Sequence, residues 1–88
     1  MSPIQHIRRG EQAQRLLEEP LLRDAFSQLR QEYLSQWEET PARDTQAREF
    51  LWLSVKLIER VRQDLQSIMT TGQLAQRHER REGGDAYP

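Results

Sequence analysis

Paired carboxylates, a histidine-activated nucleophile or a metal centre would each leave a recognisable pattern of residues, so the acids and histidines of this chain come first. Asp24, Glu32, Glu38, Asp44, Glu49, Glu59 and Asp64 are spread along its middle. A carboxyl group becomes a general acid where an apolar setting raises its pKa. These acids are predicted to project from polar helix faces, where water solvates them. The histidines, His6 and His78, lie near opposite ends, and neither is placed as the base that a nucleophile needs. His78-Glu79-Arg80-Arg81-Glu82 superficially matches the helical zinc-protease motif, but Glu82 stands where the second histidine should be. Cysteine is absent, which leaves a structural zinc site without ligands. Gly83-Gly84 is followed by no predicted helix and so builds no phosphate cradle. These residues therefore predict no catalytic, cofactor or metal site, no small-molecule substrate, and a chain that is not an enzyme.

Charge narrows the partners. Thirteen basic and fourteen acidic side chains leave a net charge of -1, with the two signs interspersed, which gives no general attraction to nucleic acid or to a membrane. The candidate nucleic-acid contacts are Arg8 and Arg9 near the start and Arg77, Arg80 and Arg81 near the end. Glu residues offset each cluster, so direct DNA contact is expected to be weak and non-specific, and to matter where many copies align. The long helices predicted below do not suit a helix-turn-helix, which needs short helices around a tight turn. The apolar run FLWLSV is interrupted by Lys56 and soon followed by Glu59, Arg60 and Arg62, far short of the ~18 apolar residues of a membrane span. The first residues carry neither an apolar export segment nor a small-residue cleavage site, and a soluble, non-exported chain is expected.

The elements that position these residues are helical. From Asp44 to Thr71, Leu51, Ser54, Ile58, Val61, Leu65 and Ile68 recur at three- and four-residue steps, flanked by Ala47, Phe50, Leu57 and Met69, the mark of one long amphipathic helix. Ahead of it, Leu22, Ala25, Phe26, Leu29, Tyr33 and Trp37 form a second such stripe. Pro20 disfavours helix at Glu19 but suits the first position of the next helix. The reading is all-α: a short N-terminal helix over 11–18, a second over 20–38 and a third over 41–71. Thr40 ahead of Pro41, or Asp44 a turn later, can cap the third helix. Gly72 is placed to end it. The short connection predicts an antiparallel hairpin of the second and third helices. Its expected core is Leu22, Phe26, Leu29, Tyr33, Trp37, Phe50, Leu51, Leu57, Ile58, Val61 and Leu65. Residues 1–10 read as a flexible arm, 11–76 as the helical domain and 77–88 as a disordered polar tail.

A chain of 88 residues buries only about 60% of its unfolded surface. Without disulfides or a metal, oligomerisation or a partner is the way left to bury more. Trp52 bears on this, because it falls among Arg48, Lys56 and Glu59, off the core stripe. Either Arg48 and Lys56 cover its ring with their alkyl stems and a cation–π contact, or a second chain buries it together with Val55, Leu53 and Leu34. Trp52, Val55, Leu34 and Leu53 are accordingly the candidate interface.

The pattern from Ala13 to Gln76 resembles small helical proteins encoded by tailed bacteriophages. It is carried by Leu16-Leu17 before Pro20, Ala25-Phe26, Tyr33 and Trp37, Thr40-Pro41, Arg48-Glu49 before Leu51-Trp52, and Gly72 before Leu74-Ala75. The helical hairpin is similar to the oligomerisation core of small terminase subunits, though the residues ahead of it are not expected to form a recognisable DNA-binding domain. The resemblance implies a homo-oligomeric component of head assembly or DNA packaging, located in the host cytoplasm or the virion, with other phage structural or packaging proteins as partners. A small inhibitor that binds a host protein through one helix face, and a nucleic-acid-binding regulator, are the other functions compatible with the same residues.

Overall fold

The computed structural model describes residues 1–85, and all regular structure within them is α-helical: α1 Pro3–Glu18, α2 Pro20–Glu39 and α3 Thr45–Asp85. The chain falls into two units, one formed by Met1–Glu18 with the chain from Asp64 onward, the other by Glu19–Gln63. α3 contributes to both.

Two helix ends reach well beyond the sequence reading, each for an identifiable reason. α1 occupies most of the expected arm. Ser2 and Gln5 form a reciprocal cap, in which the Gln5 N–H donates to Ser2 Oγ at 3.2 Å and the Ser2 N–H to Gln5 Oε1 at 3.0 Å. Pro3 takes the first helical position, where it has no N–H to lose. At the other end Gly72 does not stop α3, which continues through residues 77–85, where a disordered tail was expected; residues 86–88 of that tail lie outside the described residues. Among the described residues no glycine takes the positive φ that a left-handed cap requires.

Gly72 instead makes room for α1. In the first unit Gly10 and Gly72 are both buried. A Cβ placed on Gly72 would come within 2.7 Å of the His6 carbonyl oxygen and 2.8 Å of Gly10 Cα, and one on Gly10 would come within 2.9 Å of Gly72 Cα. Only residues without a side chain allow two helix backbones to approach so closely. Ala13, one turn beyond Gly10, is among the most buried apolar residues.

In the second unit Glu19 is extended and caps α2 through a 3.3 Å bond from the Leu21 N–H to its carboxylate. Thr40 closes α2, its N–H donating to the Gln36 and Trp37 carbonyls and its hydroxyl to the Gln36 carbonyl at 2.6 Å. α3 starts at Thr45, later than the expected 41, because Asp44 is its cap: Asp44 Oδ1 accepts from the Ala47 N–H at 3.2 Å. α2 and α3 meet through Trp37 and Arg48 near the connection and through Arg30 and Glu59 farther from it. Leu51 and Val55 are the buried apolar residues of this unit.

The expected core needs correcting. Leu22, Phe26, Tyr33, Trp37, Ile58 and Leu65 are half-buried, whereas Leu29, Phe50, Leu57 and Val61 are exposed. The apolar stripe of α3 is wider than one neighbouring helix covers. Consecutive residues are turned by about 100°, so packing Leu51 against α2 turns Phe50 away.

Candidate interaction surface

The side chains that could do chemistry stay apart. Asp24, Glu32, Glu38, Asp44, Glu49 and Asp64 are exposed. Glu59 is half-buried and accepts from Arg30 Nε at 3.3 Å, with Lys56 Nζ 3.6 Å from its second oxygen. His6 is half-buried in α1 and His78 exposed in α3. Among the described residues, no group of three or more His, Cys, Asp and Glu is placed to hold a metal ion, and no helix is long and apolar enough to cross a membrane. Arg8 and Arg9 on α1 and Arg77, Arg80 and Arg81 on α3 are exposed and belong to the same unit. Arg9 Nη1 lies 3.4 Å from Met1 Sδ.

Arginine 48 organises the connection between α2 and α3. Its Nη1 donates to the Thr40 carbonyl at 2.9 Å and the Trp37 carbonyl at 3.3 Å, and its guanidinium sits 4.0 Å from the Trp37 ring centre. It thereby adds a second donor to the Trp37 carbonyl, which also accepts from the Thr40 N–H, and gives a partner to the carbonyl of the capping residue Thr40. A planar donor array that can also stack on an indole suits this place better than an ammonium group.

Arg48 is engaged with Trp37, and it is Lys56 that lies over Trp52, its Nζ 5.5 Å from the ring centre. Trp52 stays 52% exposed. It borders a cleft of about 190 Å³ whose apolar wall includes Leu34, Trp37, Leu51 and Val55 and whose rim carries Arg30, Lys56 and Glu59. The cleft has the size of one side chain, and its rim charges are paired with one another.

The four candidate interface residues therefore separate. Val55 is only 6% exposed and belongs to the intrachain core. Its place beside Leu51 on the side facing α2 removes it from any docking surface in this conformation. Leu34 is half-buried in the cleft wall, while Trp52 and Leu53 remain accessible.

Leu53 has neighbours that the sequence reading had assigned to the core. Phe50, Leu53, Leu57 and Val61 are 66%, 53%, 65% and 43% exposed. At about 100° per residue they fall within an arc of roughly 80°, making a continuous apolar stripe. Ser54 borders it, its hydroxyl already donating to the Phe50 carbonyl at 2.8 Å. The signal was present in the sequence as a stripe too broad for one partner helix.

No family model, characterised protein or solved structure matches this chain.

Proposed function

We propose that this chain is a non-enzymatic assembly protein that works as a homo-oligomer, with α2 and the first half of α3 forming an antiparallel hairpin as its oligomerising element. The observation that carries this reading is the imbalance of its apolar surface. Ala13, Leu51 and Val55 are the buried apolar residues, against eleven large apolar side chains at least 39% exposed among the described residues. Scattered exposed leucines are ordinary, but residues aligned on one helix face mark a surface that another protein covers.

The bacteriophage setting rests on the resemblance of the residue pattern, and within it head assembly or DNA packaging is the role we assign. Packaging would add weak contacts from Arg8, Arg9, Arg77, Arg80 and Arg81 to DNA phosphates, recognisable by binding that weakens steeply as salt rises.

Light scattering of the purified chain across a range of concentrations tests the reading. A defined multimer is the expected result. A monomer at every concentration would overturn homo-oligomeric assembly and favour the host-directed inhibitor, which needs the same apolar face for a different protein.

A further inference from the structure

We propose that Phe50, Leu53, Leu57 and Val61 form the seat of a second copy of this chain, whose α3 lies antiparallel against the first; this rests on the homo-oligomeric reading above.

The size of the stripe fits that occupant. Its four side chains expose on the order of 400 Å² of apolar surface, which is roughly half of the ~800 Å² per partner in a standard interface, close to the apolar share that such interfaces contain. A patch of this extent falls within the roughly 300–600 Å² of the largest patch on a monomer, which is often functional. Covering it strands no hydroxyl, because Ser54 is bonded to its own helix. The nearby ion pairs of Glu59 with Arg30 and Lys56 lie on the other side of α3, outside the covered area.

The order of residues along the stripe selects the orientation. A two-fold axis midway between Leu53 and Leu57 sets Leu53 of one copy beside Leu57 of the other. The same axis brings the large Phe50 and the small Val61, and Glu49 and Arg60 on the same edge, each within about one residue of level. The two outer layers then each combine the larger Phe50 with the smaller Val61, the two central layers pair leucine with leucine, and acid meets base twice. A parallel pair would instead set Phe50 against Phe50 and Val61 against Val61, with unequal layers, and would turn the Glu49 and Arg60 edges of the two copies to opposite sides, where acid and base do not pair.

Two measurements test the proposal in the full chain. In the first, Leu53→Glu/Leu57→Glu is compared with the wild type by light scattering, with circular dichroism confirming unchanged helicity. Self-association should weaken roughly 30-fold or more, the effect of removing a central anchor. If the wild type is multimeric and the variant equally so, this face is wrong while the assembly reading stands. A monomeric wild type overturns both.

The second measurement does not depend on how the charged variant folds. The chain has no cysteine, so Phe50→Cys and Val61→Cys can be prepared separately, mixed and oxidised. Cross-linked heterodimers should form in the mixture and neither variant should link to itself, since self-pairing would span about 15 Å along the axis and a disulfide needs Cα atoms within about 7 Å. Self-linking of each variant would overturn the antiparallel arrangement, and no linking in a multimeric sample would overturn this face.

Discussion

Gly10 and Gly72 touch backbone to backbone, each occupying the space that the other's Cβ would need. The substitution of either therefore tests the packing of α1 on α3 directly, because the atoms in the way are main-chain carbonyls and Cα atoms that cannot swing aside.

Gly72→Ala should destabilise the chain even though alanine favours helix by about 1 kcal/mol. Overpacking of this kind costs about 1–3 kcal/mol, and backbone contact under 3 Å puts it at the upper end. A net loss of about 2 kcal/mol lowers Tm by roughly 8–16 °C for a chain of this size, readable in a circular dichroism melt. A raised Tm would mean that propensity wins and that the helices are not closely packed here.

Arg48→Lys should be far from conservative. Lysine keeps the charge but cannot donate to the Trp37 and Thr40 carbonyls while stacking on the Trp37 ring, as Arg48 does. The loss expected is about 1–2 kcal/mol, from hydrogen bonds made by a charged group and a partly exposed cation–π contact. Chemical denaturation measures it. Retention of full stability in the lysine variant would show that charge alone matters at this position.

The two preceding sites differ in how far the sequence disclosed them. The helical nature of the chain is legible in steps of three and four residues, as at Leu22, Phe26 and Leu29 or at Leu51, Ile58 and Leu65. The roles of Gly10 and Gly72 are not, because a glycine that admits a neighbouring backbone and one that ends a helix look alike until the neighbour is known. The start of α1 was readable as Ser2, Pro3 and Gln5 at capping spacing, but two isolated isoleucines and Gly10 suggested a loose arm. On α3, periodicity identified an apolar stripe without revealing how much of it α2 would cover, and so Phe50, Leu57 and Val61 could not be separated from Leu51.

Ser2→Ala removes one half of the cap on α1. It should cost about 0.5–2 kcal/mol and act locally, raising amide exchange over the first turns of α1 and leaving Leu51 and Val55 protected. Faster exchange spread evenly over both units would contradict a local cap.

Arg30→Ala, in contrast, should change stability by less than about 1 kcal/mol. The Arg30–Glu59 pair is 3.3 Å long, but its side chains are 48% and 34% exposed, and water screens a pair so placed. Whatever effect remains should shrink at high salt. A loss above 2 kcal/mol that persists in salt would assign Arg30 a packing role in the cleft wall.

Trp52→Ala separates a covered surface from a merely accessible one. Trp52 and Leu57 are both more than half exposed, yet they lie roughly 140° apart around α3, too far to meet one flat partner together. Lys56 sits over the Trp52 ring, so truncation removes an intrachain contact and part of the cleft wall, with an expected cost of about 1–2 kcal/mol. The mass measured by light scattering should stay that of the wild type, while Leu53→Glu/Leu57→Glu lowers it. If Trp52→Ala dissociates the multimer and the double variant does not, the second chain docks over Trp52 and the cleft beside it, and the stripe through Phe50 and Leu57 must face something else.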